Sequence, residues 1–114
     1  MKNSDYLGEL TRLLDKTCPK LAKSHRLDFK NCFGAVAGYI DGKIFVSCGQ
    51  FGIALRFPPK TLAELFQDSD VLPLKYFPNG HVKKEYAVIP KRIIDDQGRF
   101  KSLVEKSTRY ALSI

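Results

Sequence analysis

Residues 31–57 read NCFGAVAGYIDGKIFVSCGQFGIALRF. They form three apolar runs separated by glycine-bearing dipeptides, and the register of those runs decides the fold. Asp41-Gly42 is a strong hairpin signal, because a type I′ turn needs positive φ at both central residues. With that dipeptide as the loop, Ile40 faces Lys43, Tyr39 faces Ile44 and Ala37 faces Val46. Gly49-Gln50 suits a type II′ turn, which sets Cys48 opposite Phe51 and Val46 opposite Ile53. Opposed residues share a side of the sheet, so this register separates two faces. One holds Phe33, Ala35, Ala37, Tyr39, Ile44, Val46, Cys48, Phe51, Ile53, Leu55 and Phe57, and is the expected core. The other holds Gly34, Val36, Gly38, Ile40, Lys43, Phe45, Ser47, Gly52, Ala54 and Arg56, and is expected to remain uncovered.

The flanking sequence supplies helices and two more strands. Tyr6, Leu7, Leu10, Leu13 and Leu14 recur at helical spacing over about residues 4–18, with Ser4 as the expected N-cap and Pro19 as the stop. Residues 19–29 read as a linker or short helical turn. Beyond Pro58-Pro59, the tetrapeptide Thr61-Leu62-Ala63-Glu64 fits a capping box for a short helix ending near Gln67. Leu74–Phe77 and Val82–Ile89 read as strands joined by a tight turn at Asn79-Gly80. Phe100, Leu103, Val104, Ser107 and Ala111 mark a closing amphipathic helix over about 97–112, capped by Asp95 or Asp96. The expected fold is α+β, in two layers: a five-stranded antiparallel sheet with helices mainly on one face, in the order α-β-β-β-α-β-β-α. A single domain spanning 1–114 accommodates it.

Chemistry is sparse by comparison. The apolar share of 44% and charged share of 27% describe an ordinary globular chain. No apolar run approaches the ~18 residues of a membrane span. The N-terminus lacks the continuous apolar core of a signal peptide, so no membrane partner and a cytoplasmic location are expected. Cys18, Cys32 and Cys48 form no C-x-x-C, and His25 and His81 are far apart, so neither a zinc site nor any other cofactor is expected. The glycines do not make a phosphate loop, since Gly34 and Gly38 lie inside a strand pattern and Gly42-Lys43 is followed by Ile44. Aligned to the RNA-recognition octapeptide, Phe33-Gly34 places Ala35 and Gly38 where stacking aromatics belong. Cys-His and paired-carboxylate arrangements find no sequence support, and no enzymatic activity is expected.

Charge leaves one further possibility. The net charge is +7, which favours polyanions, and Lys75, Lys83, Lys84, Lys91 and Arg92 cluster around the second hairpin and its exit. A nucleic-acid contact there is the alternative reading. The opposing explanation is a solvated edge whose lysines discourage strand-to-strand aggregation.

The N-terminal helix, KNCFGAVAGYIDGKIFVSCGQFGIALRF, EYAVIP and the closing helix together resemble the N-terminal domain of TfoX/Sxy-type proteins. Phe33-Gly34 in the first strand, the Asp41-Gly42 turn and Tyr86 through Pro90 at a late strand end carry the resemblance, which spans about residues 5–112. It implies a two-layer α/β domain associated with transcriptional regulation of bacterial DNA uptake, and no catalytic residue set. The resulting expectation is a non-enzymatic regulatory or protein-interaction module. Its expected partner surface is Gly34, Val36, Gly38, Phe45 and Ala54, with an unidentified protein or a second copy of the chain as partner.

Overall fold

Asp5 opens the first helix, its carboxylate accepting a hydrogen bond from the Gly8 amide at 2.9 Å. In this computed structural model, which describes residues 5–32, 34–75 and 82–114 with the backbone alone at Cys32 and 82–84, α1 spans Tyr6–Thr17 and buries Leu10 and Leu14. Ser4, Phe33 and the expected Asn79-Gly80 turn lie outside the described residues. A short α2, Leu21–Ser24, follows Pro19. The chain then becomes a strand, β1, over Leu27–Cys32, where the sequence suggested a linker. The run expected as one strand from Lys30 to Ile40 is two. Gly34 at φ +80° reverses the chain between Cys32 and Ala35, a conformation that a residue with a Cβ resists.

Among the described residues the sheet consequently has six strands rather than five: β1, β2 (Ala35–Ile40), β3 (Lys43–Gly49), β4 (Gly52–Arg56), β5 (Leu72–Lys75) and β6 (Val82–Ile89). They are antiparallel throughout, in the spatial order β1-β2-β3-β4-β6-β5. Asp41 and Gly42 take φ of +48° and +83°, the expected type I′ geometry, and close the pair Ile40↔Lys43. Tyr39↔Ile44 follows as expected. The next pair is Gly38↔Val46, which leaves Phe45 as an extra residue without an opposite number. This β-bulge shifts the parity of β2 against β3. Val36 and Ile40, expected on the uncovered side, turn into the core, and Ala35, Ala37 and Tyr39 turn to the other face.

The β3–β4 hairpin keeps a two-residue loop, but its pairing is shifted by two residues from the expected register. Gly49 pairs with Gly52 and Cys48 with Ile53, so the loop is Gln50-Phe51. That shift is an even number of residues, and face membership survives it: Val46, Cys48, Ile53 and Leu55 stay in the core.

Proline positions the next helix. Pro59 is the first residue of α3, Pro59–Leu65, because its missing N–H is one the first turn cannot use. Thr61 therefore sits inside the helix and the capping box does not form. A short α4, Lys91–Ile94, precedes α5, Gln97–Ser113, which is capped by Asp96 accepting from the Arg99 amide at 3.2 Å. One side of the sheet carries all the helical packing. There Leu10, Phe45, Leu55, Phe57, Ile93, Phe100 and Val104 are fully buried in a common cluster, each large side chain contributing roughly 1.5–3 kcal/mol by leaving water. On the opposite face a small cluster of Ala54, Leu74 and Tyr86 packs with Ile44, Phe51 and Val88, and no helix of the described residues belongs to it.

Candidate interaction site

The bulge at Phe45 disperses the surface expected from sequence. Val36 is 5% exposed and Phe45 0%, both beneath the helices. Gly38 faces the same way, and a Cβ there would lie 2.6 Å from Val46 Cγ1. Ala54, 0% exposed, belongs to the opposite face, and Gly34 sits on an exposed turn. These five residues make no common surface.

The basic set is likewise divided. Lys75 is exposed at the end of β5, and the side chains of Lys83 and Lys84 lie outside the described residues. Lys91 Nζ pairs with Asp95 Oδ2 at 2.9 Å, one helical turn away. Arg92 forks between two acids, its Nη2 bonding Asp68 and its Nε bonding Asp70 at 2.9 Å. The Arg92 hydrogen bond holds the Asp68 carboxyl below its ordinary range, and the same bond, joined by that to Asp70, raises Arg92. The Asp68-Ser69-Asp70 loop thus clamps α4, and two of the five expected phosphate contacts already have carboxylate partners.

A second polar constellation ties α5 to the sheet. Arg56 donates from Nε and Nη2 to Glu85 Oε1 at 3.1 and 2.9 Å, and from Nη1 to the Ile44 carbonyl at 3.3 Å. Tyr110 donates its hydroxyl to Glu85 Oε2 at 2.7 Å, and the Arg56 guanidinium lies 5.6 Å from its ring centroid. These bonds, the Tyr110 hydroxyl foremost, lower the Glu85 carboxyl, and the same contact raises the Tyr110 phenol. Arg56 and Glu85 are 29 residues apart in sequence, and no local pattern connects them.

The two cysteines whose side chains are described, Cys18 and Cys48, have muted chemistry. Burial, reinforced by Glu9, pushes the Cys48 thiol up to about 11, and burial also raises Cys18. A thiol kept protonated in this way is a poor nucleophile. Among the described residues no three His, Cys, Asp or Glu side chains gather as a metal site, and no helix is long and apolar enough to cross a membrane.

What the structure does assemble is a groove of about 670 Å³ at one end of the sheet. Leu13 of α1, Phe51 of the β3–β4 turn, Leu72 of β5, Val88 of β6 and Ile94 of α4 provide its apolar walls. Glu9, Arg12, Lys16 and Lys91 lie around them. Leu72 is 55% exposed, the most exposed large apolar side chain among the described residues. The described lining contains no His, Cys or Ser, and the groove presents an apolar surface with a charged border. Sequence reasoning missed it because its residues come from five separate elements. The one local hint was Leu72, an apolar residue stranded between an acidic loop and a proline.

Residues 20–111, from the residue preceding α2 to near the end of α5, match the family model described as the TfoX N-terminal domain. Among curated proteins, none matches the chain.

Proposed function

The chain belongs to the TfoX N-terminal domain family, and from that premise we propose that it is a non-enzymatic regulatory module which engages a protein partner through the groove at Leu13, Phe51, Leu72, Val88 and Ile94. The single observation carrying this reading is the exposed Leu72 on an apolar floor, since contiguous apolar surface rimmed by charge is where soluble domains meet partners. The regulatory setting, bacterial and cytoplasmic, rests on the resemblance to competence regulators. Nucleic-acid contact through the second hairpin is the weaker reading, because Lys91 and Arg92 are occupied by Asp95, Asp68 and Asp70.

Affinity capture from cell extract with the wild-type chain and with Leu72→Asp, each with and without nuclease, tests this proposal. The expected outcome is a protein bound by the wild type in both nuclease arms and lost from Leu72→Asp. Identical capture by the variant would reject the groove. Capture that disappears with nuclease would favour the nucleic-acid reading, and the affinity should then fall steeply with salt.

A further inference from the structure

The two edges of the sheet are built differently. β5 is short, Leu72–Lys75, and contains Pro73, whose missing N–H blunts an edge. β1 is longer, Leu27–Cys32, has no proline, and among the described residues pairs with β2 alone. Its backbone phase follows from the residue before it. Asp41 donates its amide to the Arg26 carbonyl at 2.8 Å, and Arg26 returns its own amide to Asp41 Oδ1 at 2.9 Å. By the two-residue alternation of an antiparallel ladder, Asp28 and Lys30 also direct their backbone groups at β2. Leu27, Phe29 and Asn31 direct theirs away from the sheet, at the open edge.

The side chains on this strand have a symmetry of their own. Asp28 and Lys30 flank Phe29 and lie on the helix-free face, opposite Tyr39 and Ala37. Asp28 is held there by Arg26 Nε at 2.9 Å, and Lys30 Nζ lies 5.2 Å from the Tyr39 ring centroid. Leu27 and Phe29 point to the helical side, where they are only partly buried at the margin of the main core.

We propose that β1 pairs antiparallel with β1 of a second copy of this chain, about a two-fold axis at Phe29. Phe29 then faces Phe29 of the second copy and Leu27 faces its Asn31. These are the outward-phase residues, so each such pair exchanges two N–H···O=C bonds. Asp28 faces Lys30 of the second copy, and symmetry repeats that pair. It falls at the non-hydrogen-bonded sites, where opposed side chains approach most closely. Charge selects this register over its neighbours. Sliding the partner by two residues in either direction keeps the backbone phase but sets Asp28 against Asp28, or Lys30 against Lys30. Leu27 and Phe29 of the two copies meet at the seam, so the half-covered margin of each core becomes interior. This edge is distinct from the groove and does not depend on it.

Sedimentation equilibrium from about 1 µM to about 1 mM is the test, a range that brackets weak self-association. The wild type is expected to dimerise. Asp28→Lys and Lys30→Glu should each raise the dimer Kd by roughly tenfold or more, because like charges replace both cross-strand pairs. An equimolar mixture of the two variants should recover the dimer, since opposite charges then face each other at both sites. Asn31→Pro removes an outward amide, leaves the β1–β2 ladder intact and should weaken the dimer as well. In the wild type, amide exchange at Leu27, Phe29 and Asn31 should slow as concentration rises, a readout that needs no variant. A wild type that stays monomeric over this range, or a dimer indifferent to both charge variants, overturns the proposal.

Discussion

Tyr110 reaches from α5 to the sheet and gives its hydroxyl to Glu85 Oε2 at 2.7 Å, while Arg56 occupies the other carboxylate oxygen. The sign of the pH dependence follows from the two shifts. Glu85 is lowered, so its contribution is present above the ordinary carboxylate range and is lost as pH falls through the lowered value. Tyr110 is raised, so its contribution is complete below the ordinary phenol value and is lost as pH rises through the raised one. Neutral pH lies on the plateau between them. Tyr110→Phe is expected to cost about 1 kcal/mol at neutral pH, the scale of a part-exposed hydrogen bond to a charged acceptor. It should also make the acid limb shallower, both measured by urea denaturation across pH. An unchanged acid limb would separate Glu85 from Tyr110 energetically. Nothing near Tyr110 in the sequence identifies Glu85 as its partner; only the fold brings them together.

Phe45 decides the orientation of an entire strand. The Asp41-Gly42 turn was legible because positive φ at two residues demands a particular dipeptide. The bulge was not, because counting back from a turn assumes one residue opposite one residue. Phe45, placed on the uncovered side by that count, is a core residue at 0% exposure. The bulge is supported from the helical layer, where Ser107 Oγ donates to the Phe45 carbonyl at 2.8 Å and is itself fully buried. Ser107→Ala leaves that carbonyl without this donor and is expected to cost about 1–3 kcal/mol in denaturant unfolding. A loss below about 0.5 kcal/mol would mean that the bulge does not need the bond. The same limit hides β1: Leu27 and Phe29 alternate with Asp28 and Lys30 as a strand should, but the reversal at Gly34 leaves no mark in that period.

Among the described residues the sheet has one face covered by helices and one without them, and two variants distinguish a bare face from a binding face. Ala54 lies on the helix-free side yet is 0% exposed among Leu74, Tyr86 and their neighbours. Ala54→Lys places a charge and three extra carbons into that cluster, and thermal unfolding should show a loss of about 3 kcal/mol or more. Leu72→Asp, at a site 55% exposed, should stay within about 0.5 kcal/mol of the wild type. A tolerated lysine at Ala54 would mean that the small cluster opens freely to solvent. Groove and β1 edge both belong to this scale, because each is made of residues whose individual properties are unremarkable.

By itself the sequence determined the α+β class, the antiparallel hairpins, the Asp41-Gly42 turn and the closing amphipathic helix. Each rests on local φ preference or on a period of 2 or 3.6 residues. The core side of β4, and of β3 from Val46 onward, was also readable, because an error of two residues in register preserves parity, whereas Ile44 and Phe45 lie on the faces opposite to those expected. Only the tertiary structure decided the sixth strand, the inversion of β2, the Asp68–Arg92–Asp70 clamp and the groove at Leu72. Those depend on a single inserted residue at Phe45, a reversal at Gly34, and contacts between elements far apart in the chain. A bulge changes parity without changing composition, and long-range pairing leaves no periodic trace in the residues that make it.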